Sequence, residues 1–228
     1  MKNYIVVTLK KWNVDTYKRN ISIKKKNWFL VTRPKFLNFS YINSIKPKYI
    51  FFPHWSEKID SKIVENFNCI CFHETDLPYG RGGSPIQNLI HRNHKKTFIT
   101  AFKMNNKIDA GPILLKKPLL LNGNAQQIFE RSSDIIFKMI KQIINKNLKP
   151  KPQKGKVVNF KRRNPKQSVI PKDNISLEKI YNHIRMLDAD TYPKAYINHG
   201  KFKIEFKDAK LKNKYIDLKA LIRFKDLK

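Results

Sequence analysis

Residues 69–87 read CICFHETDLPYGRGGSPIQ. Cys69-Ile70-Cys71-Phe72 is a short apolar run, the pattern of a strand buried on both faces in a parallel sheet. The run turns polar at His73 and passes through Leu77-Pro78 and a turn at Arg81-Gly82-Gly83. Ser84 then stands where a helix cap is expected, with Pro85 at the first helical position and the helix running to about His91. Upstream, residues 4–9, 28–32 and 48–53 are β-branched and aromatic runs of strand length, the last closed by Pro53. A short helix is expected over 58–66. Apolar strands alternating with crossover segments predict a mostly parallel α/β sheet. Such sheets bind ligands beyond the carboxyl ends of their strands, where Pro53-His54-Trp55 and His73 fall.

Downstream of the motif, residues 97–104 and 112–121 read as two strands joined by a turn. Asn124 is placed to cap a long helix over 125–146, with Gln127 completing a capping box. Ile128, Ile135, Ile136, Met139, Ile140 and Ile143 form its apolar stripe. Residues 147–156, rich in lysine-proline steps, read as a linker. The chain is thus expected to divide into a larger α/β domain, 1–150, and a small α+β subdomain, 157–228. The latter holds a helix capped by Ser176, strands over 194–198, 202–206 and 216–224, and a hairpin turn at Asn198-His199-Gly200.

The net charge is +31, from 48 basic and 17 acidic residues. Only nine of the basic residues are arginine, and the lysines are spread along the chain. Lysine, asparagine and isoleucine enriched together fit a genome biased towards A and T. A surface built to read bases or phosphates would use more arginine. A field of this sign does attract phosphorylated substrates. No run of eighteen apolar residues is present, so a membrane span is not expected. Residues 1–10 lack the layout of a signal peptide, which makes cytoplasmic residence the expectation. Cys69 and Cys71 are i, i+2 neighbours on one strand face, a spacing that suits reduced, buried thiols rather than a disulfide or a zinc site.

The candidate chemistry lies in His73 and in Asp109, within Lys107-Ile108-Asp109-Ala110-Gly111-Pro112-Ile113. A carboxylate can orient an imidazole and stabilise its charged form, an arrangement suited to acyl transfer. The histidines lack metal-ligand spacing, and no metal is expected.

Together these segments resemble the formyltransferases that use N10-formyltetrahydrofolate, a family with methionyl-tRNA, glycinamide ribonucleotide and sugar-nucleotide branches. The family signature runs Asn-x-His-x-Ser-x-Leu-Pro, then Arg-Gly-x-x-Pro, then Asp-x-Gly. It is similar to Cys71-Phe72-His73-Glu74-Thr75-Asp76-Leu77-Pro78, Arg81-Gly82-Gly83-Ser84-Pro85 and Asp109-Ala110-Gly111. The resemblance is strong over about residues 48–153 and implies a Rossmann-like formyltransferase domain with N10-formyltetrahydrofolate as cosubstrate. It implies an Asn-His-Asp catalytic set in which His73 and Asp109 stand in place while Cys71 occupies the Asn position. In the family that Asn donates a hydrogen bond to the formyl oxygen, whereas a thiol is a weak donor. Loss of one such donor costs about 2.7–4 kcal/mol in the transition state. His54 is the expected substitute, and Thr75 the second candidate.

By the same resemblance, Pro53, Trp55, Leu77, Pro78, Arg81, Gly82 and Gly83 would line the folate site. Arg162, Arg163 and Arg185, with Tyr192-Pro193, are similar to the sugar-nucleotide branch, where arginines could hold a diphosphate. Thr75 and these arginines are the expected acceptor contacts. The reading is formyl transfer to the primary amine of a nucleotide-linked amino sugar. The alternatives are methionyl-tRNA as acceptor, or a non-catalytic or hydrolytic relative. The oligomeric state stays open, a homodimer included.

Overall fold

The computed structural model describes residues 2–21, 26–146, 148–173, 176–190 and 192–225. They form two compact units. The first takes the chain up to Gly83, Thr97–Leu119 and Phe129–Phe160; the second takes Ser84–Lys96, Leu120–Ile128 and the chain from Lys161 onward. The division expected from sequence, at 150/157, differs in that two earlier segments join the second unit. Residues of the expected linker also stay with the first unit; Asn147, its first residue, lies outside the described residues.

The strands are β1 (Asn3–Val7), β2 (Trp28–Val31), β3 (Pro47–Pro53), β4 (Cys69–His73), β5 (Tyr79–Gly82), β6 (Lys96–Lys103), β7 (Ile113–Leu120), β8 (Val158–Phe160), β9 (Ala195–His199), β10 (Phe202–Leu211) and β11 (Ile216–Phe224). The helices are α1 (Lys11–Asn20), α2 (Phe39–Ile45), α3 (Ser61–Asn66), α4 (Pro85–His91), α5 (Ala125–Asn145) and α6 (Leu177–Arg185). The main sheet has the order β2-β1-β3-β4-β6-β7. The pairs β1–β2, β1–β3 and β3–β4 are parallel, and β4–β6 is antiparallel. Lys103 N–H bonds Pro112 O at one end of β6 and β7, and Leu121 N–H bonds Lys95 O at the other, so these two strands also run in opposite directions. This is a Rossmann-like, mostly parallel sheet.

Alternation along the strands builds one core face. Ile5 and Val7, Ile50 and Phe52, and Cys69 and Cys71 fall on it and pack with Ile42, Ile45 and Ile63 of α2 and α3. Full burial of each large aliphatic or aromatic side chain contributes about 1.5–3 kcal/mol. Helix α1 buries a polar face instead: Asn13 and Thr16 are almost wholly enclosed. Asn13 Nδ2 donates to Thr8 Oγ1 (3.0 Å) and to Pro53 O (3.2 Å), and its Oδ1 accepts from Ser133 Oγ (2.7 Å). Trp12 stacks on Phe129 with ring centroids 5.0 Å apart.

Helix starts follow their caps. Asp60 accepts from Lys62 N–H, so α3 begins at Ser61 rather than at 58. The capping box before α5 is formed in both directions, Gln127 N–H to Asn124 Oδ1 at 3.0 Å and Asn124 N–H to Gln127 Oε1 at 3.1 Å. Ser84 does not cap α4. It adopts a left-handed conformation (φ 53°), and its hydroxyl accepts from Arg163 N–H.

In the second unit β9, β10 and β11 form an antiparallel sheet, with α6 against β10 and α4 against α6. The β9–β10 turn falls at Gly200-Lys201, one residue beyond the expected place, with Gly200 at φ 50°. Asp188 ties the unit together. Its carboxylate accepts from Asn124 Nδ2, Lys194 Nζ and the backbone N–H of Asp208, itself at φ 56° in the β10 bulge.

Candidate active site

Strand β4 ends at His73, and the chain turns through residues 74–78 into β5. That turn is fixed from several sides. Thr100 Oγ1 donates to Thr75 O at 2.6 Å, and Lys116 Nζ bridges Asp76 Oδ1 and Leu77 O. The Leu77–Pro78 bond is cis. Strand β5 pairs in parallel with β8. Its glycines are required: Gly80 and Gly82 have φ of 78° and 101°, and a Cβ on Gly82 would lie 2.5 Å from Phe160 O.

This framework sets the His73 ring. Its Nε2 lies 2.8 Å from Gly80 O, and since a carbonyl can only accept, the Nε2 proton is fixed there. Nδ1 then faces Asp109 Oδ2 at 3.8 Å, too far for a direct hydrogen bond. The same Oδ2 accepts from Gly82 N–H at 2.8 Å. Asp109 reaches this place from a left-handed backbone (φ 48°). Gly111 makes the following turn possible, because a Cβ there would stand 1.7 Å from Lys103 O. His73 and Asp109 thus face one gap, each held by a backbone group of the 80–82 strand, His73 at its far nitrogen and Asp109 at the oxygen that faces His73.

Cys71 lies two residues before His73 on the same strand face, 7% exposed. Burial pushes its thiol well up, and the carboxylates of Asp109 and Glu74 push it the same way. At neutral pH it is S–H, a weak donor, and not a thiolate.

His54 is not a free donor to this gap, which corrects the expectation from sequence. Its Nδ1 lies 3.1 Å from the indole N–H of Trp12, so the ring proton sits on Nε2. Nε2 points to Glu74 Oε1 at 2.9 Å, a close approach rather than an aligned hydrogen bond, with both side chains 5% exposed. Burial alone would push the Glu74 carboxyl up; His54 beside it, and then His73, more than offset this and hold it below its ordinary value. Thr75 is likewise engaged: it is fully buried and its hydroxyl donates to Gly80 O.

Among the expected folate contacts, Pro53, Leu77 and Pro78 are buried. Arg81 is spent on Gln153, Gly82 N–H on Asp109 and Gly83 N–H on Phe160 O. Trp55 is different: its indole N–H is buried with no hydrogen-bond partner among the described residues. Among the expected acceptor contacts, Arg185 is corrected. It is 4% exposed, and its guanidinium donates to Leu121 O (2.6 Å), Gly123 O (2.8 Å) and Asn182 Oδ1 (2.7 Å), so it organises the second unit and cannot grip a diphosphate. Arg163 donates to Gln167 O, and Arg162 is exposed. Sequence reasoning missed Glu74, which sits inside the signature, and Gln153, which falls in a stretch that looked like linker.

A mostly parallel sheet with a strand-end histidine opposite an aspartate, carried by the His73–Pro78, Arg81–Pro85 and Asp109–Gly111 segments, defines a Rossmann-like formyl-transfer fold. Residues 165–225 match the family model described as methionyl-tRNA formyltransferase, C-terminal domain. A solved structure of methionyl-tRNA formyltransferase from Clostridium thermocellum is 45% identical, with a TM-score of 0.95 over 99% of this chain and 100% of that one. The chain belongs to the formyltransferase family. A curated methionyl-tRNA formyltransferase from Thermodesulfovibrio yellowstonii is 30% identical over 67% of this chain and 50% of its own length. The chain spans about half the length of the curated relatives it matches. A sugar N-formyltransferase from Shewanella sp FDAARGOS_354 shares the fold, at 18% identity and TM-score 0.67 over 91% of this chain and 97% of that one.

Proposed function

We propose that the protein transfers a formyl group from N10-formyltetrahydrofolate to a primary amine, and that the amine is that of methionyl-tRNA. The observation that carries the transfer is the His73–Asp109 gap, with Nδ1 and Oδ2 3.8 Å apart and both groups anchored. As the acceptor amine attacks the formyl carbon, it must shed a proton, and N10 must gain one when the C–N10 bond breaks. A neutral His73 turns an unprotonated Nδ1 towards Asp109, so a proton delivered to Nδ1 is held beside the carboxylate. The imidazolium so formed can donate to the formyl oxygen as charge develops there and can pass its proton to N10 as the C–N10 bond breaks. The Cys71 S–H, which makes only a long contact to Phe72 O (4.0 Å), is the further donor on the same strand face. The buried, unpartnered indole N–H of Trp55 suits an acceptor atom of the pterin. The folate donor supplies the formyl group.

The tRNA reading is supported by the solved relative at 45% identity and by the net charge of +31, which attracts a polyanion. The nucleotide-sugar reading loses Arg185, one of the three arginines on which it rested. The test supplies N10-formyltetrahydrofolate with either methionyl-tRNA or a panel of nucleotide-linked amino sugars, and measures the formylated product. Product on the tRNA alone supports the reading. Product on a sugar alone overturns the acceptor, and product on neither overturns the transfer.

A further inference from the structure

The side-chain amide of Gln153 has all four of its hydrogen-bonding capacities in use. Oε1 accepts from Arg81 Nε (3.1 Å) and Nη2 (2.7 Å). Nε2 donates to Asp109 O (2.8 Å) and Gly111 O (2.9 Å). Two residues earlier, Lys151 and Ile113 exchange both backbone hydrogen bonds, at 2.7 and 2.8 Å, which fixes this segment alongside the start of β7. A stretch that reads as linker is therefore built against the 109–111 turn.

The clamp joins two sides of the gap. Arg81 belongs to β5, whose Gly80 carbonyl sets the His73 ring and whose Gly82 N–H holds the Asp109 carboxylate. The Asp109 backbone sits at φ 48°, a conformation that costs a non-glycine residue energy and persists only where neighbours determine it. Gly82 N–H fixes the carboxylate end of the residue, and Gln153 fixes its carbonyl end.

We propose that Gln153 is a positioning residue for the transfer reaction: by tying Arg81 to the 109–111 turn it sets Asp109 opposite His73. The inference rests on the formyl-transfer reading above. The amide is suited to the role because one end must accept and the other donate. A carboxylate could serve Arg81 but would turn an oxygen against two carbonyls.

The test is Gln153→Met, which keeps the length and bulk and removes all four hydrogen bonds, with Gln153→Glu alongside. Both are expected to lower kcat by about 10²-fold, the scale of a misplaced catalytic group, with KM for each substrate within about threefold of the parent. In an Asp109→Asn background, Gln153→Met should add little further loss, because the two act as a unit. A multiplicative loss would mean a general structural role and overturn the proposal, as would a parent kcat in Gln153→Met. A second readout needs no turnover: the His73 ring followed by ¹⁵N NMR across pH. Asp109, Glu74 and Cys71 are the titratable groups around that ring; the change releases the 109–111 turn and the Arg81 guanidinium, and Gln153 bonds neither Glu74 nor Cys71. A shifted His73 titration midpoint supports the proposal, and an unshifted one overturns it even if no acceptor is ever found. Absence of transfer in the parent protein, with the NMR shift present, would instead fail the functional reading alone.

Discussion

His73 Nδ1 and Asp109 Oδ2 lie 3.8 Å apart, and both residues are held by β5: Gly80 O takes the Nε2 proton, and Gly82 N–H donates to the same Oδ2 that faces His73. The separation is too long for a hydrogen bond between the two and short enough for a proton to be shared through a substrate amine. The pair is thus preorganised without being closed on itself, as the proposed proton transfer requires.

Asp109→Asn keeps an oxygen for Gly82 N–H and removes the charge facing His73. We expect kcat to fall by about 10²–10⁴-fold, the range of a lost general acid–base contribution. The thermal midpoint should stay within a few degrees. Single-turnover transfer and thermal unfolding, measured on the same preparation, check both halves.

Cys71→Asn should raise the transfer rate, because an amide donor would replace a thiol that makes only a long contact, to Phe72 O at 4.0 Å, while His54 and Thr75 are held elsewhere. Cys71→Ala should lower it, by less than the roughly 10²–10³-fold of a full oxyanion donor. Equal rates in the parent, Cys71→Asn and Cys71→Ala would show that the formyl oxygen does not meet this side chain.

His54→Ala should destabilise the fold by about 1–3 kcal/mol, since it leaves the Glu74 carboxylate buried without the imidazole beside it and the Trp12 indole N–H without its acceptor. The Glu74 carboxyl is held below its unfolded value of about 4.3. Its contribution is therefore fully present above that pH and is lost as pH falls through the lower folded value. Glu74→Gln removes this dependence, so its stability should decline less steeply than the parent's below about pH 4. Denaturant unfolding from pH 7 to 3 measures the difference, and parallel curves would contradict it.

Much of the architecture was legible because apolar runs and caps report themselves. Strands β1 to β4, β6 and β7, the capping box of Asn124 with Gln127, and the helix after Ser176 follow from pattern alone. Helix α1 did not, because its enclosed face carries Asn13 and Thr16, satisfied by groups from distant parts of the chain, and so shows no apolar period. Strand β5 carries two glycines at positive φ, and β8 is only three residues long, so neither gives a period to count. In the site, His73 and Asp109 were readable as a spaced motif. The roles of His54, expected from its place at a strand end, and of Arg185, expected from its similarity to the sugar-nucleotide branch, differ in the structure because both side chains turn into buried networks. Gln153 was hidden because its partners are backbone carbonyls and an arginine far along the chain, contacts that leave no local signature.

The most direct measurement of the central claim is single-turnover formyl transfer to methionyl-tRNA by the parent protein and by His73→Asn, with folded state confirmed for both. The account predicts transfer by the parent and a loss of at least about 10²-fold in the variant, since the Nδ1 facing Asp109 is gone. Transfer by His73→Asn at the parent rate would contradict it.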